Sequence, residues 1–357
     1  MTRRFAVRTS VRCGSLVAAF VLVGATACAD PAAPSGGDSL PDQFTDIGGL
    51  NGSWAVARSI NAAGRVVGEA RTSRGELHAF SWSPTGGIHD LGTLGGASSV
   101  ATSINSHSEI VGWAMKPNFI RRAFIYTFGL GMRDLPTPPG GVASEAYDIN
   151  ENRTVVGLWL EATAGARAFL WTEAGGMQSL ASPPGLRDTR ANGVNGRNEA
   201  AGYGMTSSGA RRALFWSTSG EVIEIATLAG DTETVAWGIN DRGEVVGASG
   251  SASGPRRAIR WSRAEGTRDL GVLPGMDWSM ARAIGDNGHI VGSSGLKGDD
   301  VERAFVWTEA SGMRALGTLT AGDTVNSAAF GVNNFGKAVG FSGTGSAFHA
   351  VIFPRLP

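Results

Sequence analysis

Residues 145–180 read EAYDINENRTVVGLWLEATAGARAFLWTEAGGMQSL, and the fold turns on this stretch. Four short runs within it read as strands: Glu145 to Asn150, Thr154 to Leu160, Ala166 to Thr172 and Met177 to Leu180. Working outward, the same pattern recurs along the chain. The dipeptide closing the first run has counterparts at Ile60-Asn61, Ile104-Asn105, Val194-Asn195, Ile239-Asn240, Ile284-Gly285 and Val332-Asn333. The anchors are therefore spaced by 44, 45, 45, 45, 45 and 48 residues.

Two further columns keep step with the anchors. Seven residues after each stands a glycine: Gly68, Gly112, Gly157, Gly202, Gly247, Gly292 and Gly340. An aromatic follows 20 to 22 residues past each anchor, as Trp82, Tyr126, Trp171, Trp216, Trp261, Trp307 and Phe353. Three residues past an anchor, Gly64, Gly243, Gly288, Gly336 or Asn198 meets the need of a short hairpin for a left-handed residue.

Four short strands in a period of about 45 residues describe one blade of a β-propeller. A blade cannot bury both faces alone, so the expected fold is all-β: a seven-bladed propeller of four-stranded blades. Closure is expected at the ends. Thr45-Asp46-Ile47-Gly48-Gly49-Leu50 matches the fourth strand of other units, such as Asp90-Leu91-Gly92-Thr93-Leu94, whereas the seventh unit stops at Phe353 without one. The N-terminal strand is expected to complete the last blade and hide edges that would otherwise invite aggregation.

Composition agrees with many strands and tight turns: 53 glycines, ten tryptophans and 17% charged residues leave little material for helix. Residues 1–27 read as an export signal. Arg3, Arg4, Arg8 and Arg12 precede an apolar run from Leu16 to Val23, too short to span a bilayer, then Gly24 to Ala27 lead into Cys28. That stretch resembles a lipoprotein signal, which implies lipidation at Cys28. Ala25 stands where such signals carry Leu, so ordinary cleavage and a secreted soluble protein is the alternative. Residues 28–42, rich in Pro, Ala, Gly and Ser, read as a tether, and residues 43–357 as the propeller.

The only cysteines are Cys13 and Cys28, which excludes thiol catalysis or a cysteine metal site in the propeller. Loss of the four signal arginines from 31 basic residues leaves 27 against 31 acidic ones, a formal charge of −4. A mildly acidic exported domain is a poor nucleic-acid binder. Contact with membrane is expected only through the lipid anchor, and the assembly state is expected to be monomeric.

The repeat resembles the HAF family of bacterial extracellular repeats, named for a His-Ala-Phe stretch. That stretch is intact at His78-Ala79-Phe80 and echoed at Arg167-Ala168-Phe169, Arg303-Ala304-Phe305 and His349-Ala350-Val351. The Ile-Asn-x-x-Gly-x-Val-Val-Gly and Asp-Leu-Gly-x-Leu pieces accompany it, over residues 43–357. The resemblance implies an extracellular propeller and no particular activity.

Motifs for chemistry are mostly absent. Gly331 to Lys337 has the spacing of a phosphate-binding loop, but Ala338 replaces the magnesium-binding hydroxyl and the stretch is the ordinary repeat turn. Asp148, Asn150 and Asn152 alternate like calcium ligands, but Arg153 and Trp159 stand where that loop needs glycine and glutamate. No metal or cofactor is expected, and no catalytic residue is assigned.

Two columns remain. Four residues before each aromatic stands a basic or imidazole group: His78, Arg122, Arg167, Arg212, Arg257, Arg303 and His349. A structural role repeated seven times is the first reading, through stacking or pairing with carboxylates and carbonyls; a cationic ring for an anionic glycan is the second. Departures from the repeat are better places to seek function. Seven residues before the anchors, on connections between blades, Trp54 and Trp278 are candidates for stacking on a sugar or partner, and Asp188, Glu233 and Asp277 for polar contacts nearby. The expected function is an exported, non-catalytic binding or scaffolding propeller recognising a glycan or surface protein through inter-blade loops. A polysaccharide lyase or hydrolase on the same face, or a structural envelope protein, is the alternative.

Overall fold

A computed structural model describes residues 43–251, 254–298, 301–320, 325–354 and 356. The expected signal at 1–27, the expected tether, Cys28 where lipidation is expected, and Asp299 and Asp300 lie outside the described residues. Within them the chain forms 28 strands and no helix. Unit three runs Gly141–Ile149, Val155–Glu161, Gly165–Thr172 and Gly176–Ser179, an antiparallel four-stranded meander whose first strand starts four residues earlier than its sequence pattern indicates.

Units two to six each make a separate four-stranded sheet. An eight-stranded sheet holds the remainder: the four strands of unit one, the three of unit seven, and the N-terminal strand Thr45–Gly48. Thr45–Gly48 pairs antiparallel with the last strand, Phe348–Ile352, in the register Thr45↔Ile352 and Asp46↔Val351. Unit one joins that group through a single parallel pair, Trp54↔Phe348.

The repeat columns have physical causes. Each column glycine faces the carbonyl five residues before its own anchor so closely that a Cβ would lie within 1.8 to 2.0 Å of the oxygen, as Gly157 does with Glu145 O. Any side chain there would break the pairing of the first two strands. The phenylalanines of the third strands, Phe80, Phe124, Phe169 and Phe305, are wholly buried, each contributing about 1.5–3 kcal/mol through removal from water. The apolar clusters bridge neighbouring units, and one of them joins Ala57, Val66 and Phe80 of unit one to Val339, Ala350 and Ile352 of unit seven.

The anchor asparagines link the units. Asn61 Oδ1 accepts from its own turn at Arg65 N (3.0 Å), and its Nδ2 donates to Asn105 O of the next unit (3.1 Å). Asn105, Asn150, Asn195 and Asn240 repeat the donation to the anchor carbonyl one unit on, at 2.8 to 3.3 Å. Asn333 donates to Asn61 O across 272 residues of sequence (3.0 Å). Gly285 cannot, and Asn287 Nδ2 donates to Asn334 O instead (3.2 Å). A second set of links runs from Ala N in the third strands to a hydroxyl of the following unit, as in Ala123 to Ser144 and Ala168 to Thr189. The position is Ala55 in unit one, so the link is missing where unit seven meets unit one.

Candidate functional site

Every first strand carries a β-bulge at one place, three residues before the anchor asparagine position, between a buried alanine and the residue two before the anchor. A bulge leaves one residue outside the ladder and re-aims its side chain. Here the bulged residues are Arg58, Thr102, Tyr147, Asn192, Trp237, Arg282 and Phe330, and all seven line one cavity of about 190 Å³. The preceding column is Ala in every unit: Ala57, Ala101, Ala146, Ala191, Ala236, Ala281 and Ala329. Constant neighbours thus present seven varied side chains to a shared space.

Most polar groups in this ring are held by the fold. Arg58 meets Glu69 with Nε 3.0 Å from both carboxylate oxygens and Nη2 2.5 Å from Oε1, and its guanidinium stacks on Phe330 at 4.9 Å. Burial works against its charge, yet the facing Glu69 carboxylate leaves Arg58 above its ordinary pKa. Thr102 Oγ1 donates toward Ala146 O (3.1 Å) and Asn192 Nδ2 to Ala236 O (2.7 Å), both in the next unit. Tyr147 donates its hydroxyl to Glu145 (2.9 Å), which also pairs with Arg121 (2.7 Å). Burial, then the Glu145 charge, push the Tyr147 phenol well above its usual range.

Asp148 lines the same cavity with its oxygens turned into protein. Oδ1 accepts from Ser103 Oγ (2.6 Å) and Ile149 N (2.9 Å), and Oδ2 from Val194 N (2.9 Å), so the residue ties units two, three and four together. Burial outweighs these three donors and raises its pKa to about 6. Arg282 differs from all of these: it packs over Trp237 at 4.3 Å and Phe330 at 5.8 Å, and its buried Nε has no hydrogen-bond partner among the described residues.

The five loop candidates are not gathered into a site. They stand at or near the beginnings of the first strands rather than on free connections, because those strands start early. Trp54 and Trp278 are half-buried, Trp54 in the parallel pair with Phe348 and Trp278 against the position of Gly295. Asp188 Oδ1 accepts from Ala166 N (3.0 Å), and Asp277 Oδ1 from Lys297 N (2.7 Å). Glu233 is buried between Arg211 (3.1 Å) and Arg256 (3.5 Å). Among the described residues no hydrogen bond or ion pair joins one of the five to another.

The basic column lies at the third strands and is engaged in every unit. Where the fourth strand supplies an acid, the basic group meets it in four units: His78 Nδ1 with Asp90 (2.8 Å), Arg212 with Glu224 (3.2 Å), Arg257 with Asp269 (3.1 Å) and His349 Nδ1 with Asp46 (2.9 Å). In units three and six that position is Ser179 and Ala315, and Arg167 turns to Glu161 (2.8 Å) while Arg303 donates to Val325 O (2.6 Å). In unit two Asp134 pairs with Lys116, and Arg122 donates to Val142 O (2.6 Å).

The chain matches no protein-family model and no curated protein. Its fold is similar to solved β-propeller structures. Virginiamycin B lyase from Staphylococcus aureus superimposes with a TM-score of 0.56 at 12% identity, over 88% of this chain and 99% of that one. The β-propeller domain of the Trilobed protease from Pyrococcus furiosus gives 0.55 at 9% identity, over 83% and 94%. At such identities the likeness shows the fold alone: an all-β propeller of four-stranded sheets.

Proposed function

We propose that this is an exported binding module: a seven-bladed HAF-type propeller, closed by its N-terminal strand and held at the cell envelope through lipidated Cys28, that receives its ligand at the central channel rather than on the inter-blade loops. Closure is supported by the pairing of Thr45–Gly48 with the last strand and by the Asn333 to Asn61 hydrogen bond. The ligand is a glycan or an exposed group of a surface protein.

One observation carries the functional reading. The columns around the bulge are constant and taken up by the fold, whereas the bulged residues differ from unit to unit and converge on one cavity. Repeats kept alike for folding have no structural need for Arg, Thr, Tyr, Asn, Trp, Arg and Phe in one column. The cavity is smaller than most pockets that enclose a whole small molecule, which suits recognition of a protruding group. Binding rather than catalysis is favoured because Glu69, Glu145, Glu233 and Asp148 are each tied to donors of the protein.

The test is a glycan array probed with the purified chain. Trp237→Ala and Tyr147→Ala are expected to abolish the signal, while Trp54→Ala and Trp278→Ala retain it. The reverse pattern would move the ligand to the strand beginnings and overturn the channel reading.

A further inference from the structure

The ring contains one polar side chain that the fold leaves unanswered. Arg58, Thr102, Tyr147 and Asn192 all have acceptors within the protein. Arg282 makes no hydrogen bond and no ion pair among the described residues, although it lies on the cavity wall with its Nε shut off from water. Its neighbour Trp237 also lines the cavity. A guanidinium can only donate, so what Arg282 lacks is an acceptor.

The surroundings make a neutral acceptor a poor match. Burial lowers the pKa of Arg282 to about 10; Glu302 opposes that drop, while Arg58 and Arg256 add repulsion. The side chain therefore stays charged at neutral pH and desolvated. Asp148, the carboxylate on the wall, directs both oxygens to Ser103, Ile149 and Val194 and offers Arg282 none. The guanidinium packs over Trp237 at 4.3 Å, with the Phe330 ring at 5.8 Å, and these contacts restrict the directions open to its donors. A planar fork restricted in this way suits an oxyanion, which a guanidinium binds through two parallel hydrogen bonds.

We infer that the channel cavity is an oxyanion subsite, in which Arg282, packed on Trp237 and near Phe330, receives a carboxylate, sulfate or phosphate group of the ligand. This rests on the channel reading and names the chemistry of the group that enters. A cavity of about 190 Å³ has room for such a group and its attachment, with the rest of the ligand outside.

The experiment is calorimetric titration of the purified chain at fixed ionic strength with galacturonate, galactose, sulfate and phosphate. At least one oxyanion is expected to bind and galactose is not. Arg282→Met is expected to weaken that binding by about thirtyfold or more, because it removes a buried charged hydrogen bond. Which oxyanion binds best tells a carboxylate ligand from a sulfated or phosphorylated one. Without ligand, Arg282→Met is expected to melt no lower than the parent chain, since it removes an uncompensated buried charge, whereas Arg58→Met, which strips Glu69 of its partner, melts well below it. A lower melting point for Arg282→Met would mark Arg282 as structural and overturn the inference. So would oxyanion binding that Arg282→Met leaves intact, or no oxyanion binding at all. Equal binding of galactose and galacturonate, lost in Trp237→Ala, would refute the oxyanion and leave the channel reading standing.

Discussion

The basic column of the third strands and the bulge column of the first strands are built on the same sheets, and the fold treats them in opposite ways. The outer column is chemically uniform, and each member finds a carboxylate or carbonyl nearby. Where the facing acid is lost, as at Ser179 and Ala315, the arginine takes another partner. The inner column is uniform only in geometry: the same bulge, the same preceding alanine, the same glycine across the strand, and six kinds of side chain over seven units. Repetition of a residue thus marks a requirement of the sheet. Repetition of a backbone irregularity with the residue left free marks a surface the sheet presents.

The sharpest way to break this contrast is to attack the geometry shared by every unit. Gly157 pairs with Ala146 beside the bulge at Tyr147, and a Cβ there would lie 2.0 Å from Glu145 O and 2.8 Å from the Phe169 ring. A backbone oxygen has no rotamer by which to escape. Gly157→Ala is expected to cost at least about 3 kcal/mol in urea unfolding, at the upper end for overpacking. Gly176 has φ of 64° and nothing within 4 Å of its Cβ position, so Gly176→Ala should cost only about 1 kcal/mol for the left-handed backbone. Equal costs would mean that the column glycines serve as turn formers rather than as room for a close approach.

A smaller effect separates the cavity wall from the third-strand column by pH. Asp148 ionises near 3.8 in the unfolded chain and near 6 in the fold, where burial favours its neutral form. The folded state therefore holds the extra proton between those values. Its stabilising contribution is full below the unfolded pKa and is lost as pH rises through about 6. The loss is at most on the order of 3 kcal/mol. Asp148→Asn cannot ionise, so its unfolding midpoint relative to the parent chain should climb between those pH values, from whatever constant offset the lost Val194 N contact sets. A flat difference would place Asp148 in a wetter site than its three hydrogen bonds describe.

The residues differ in how plainly they announce these roles. The period, the column glycines and the match of Asp46 to Asp90 are legible because each depends on residue identity, and sequence records identity. Asp46 and Asp90 even act alike, each Oδ1 accepting from the glycine two residues on at 2.8 Å. The bulge is not recorded that way. Strict alternation along Ala146-Tyr147-Asp148-Ile149 puts Tyr147 on one face of a sheet, and only the extra residue turns it to the cavity. A signal was nevertheless present, since an invariant alanine followed by six different residue types in seven units is an unusual column in so regular a repeat. The anchor asparagines hid a second duty for a similar reason. Their Oδ1 satisfies a local turn, and nothing local shows that Nδ2 reaches the neighbouring unit. The placement of the loop candidates was hidden for a different cause, because Trp54, Asp188 and Glu233 fall inside strands that begin earlier than the apolar pattern does.

The least disturbance is expected at the rim, and there the contrast is sharpened by a near-absence of effect. Arg167 and Glu161 are 42% and 25% exposed at 2.8 Å, a pair that water competes with. Arg167→Ala should lower stability by less than about 1 kcal/mol. Arg212 adds a hydrogen bond to Thr232 O and sits deeper, so Arg212→Ala should cost somewhat more, though still in that range. Neither change touches the cavity wall, and ligand titrations should match those of the parent chain. If either variant kept its melting temperature and lost binding, the outer column would be a recognition ring. Its apparent self-satisfaction would then be the resting state of arginines that exchange an internal carboxylate for that of a ligand.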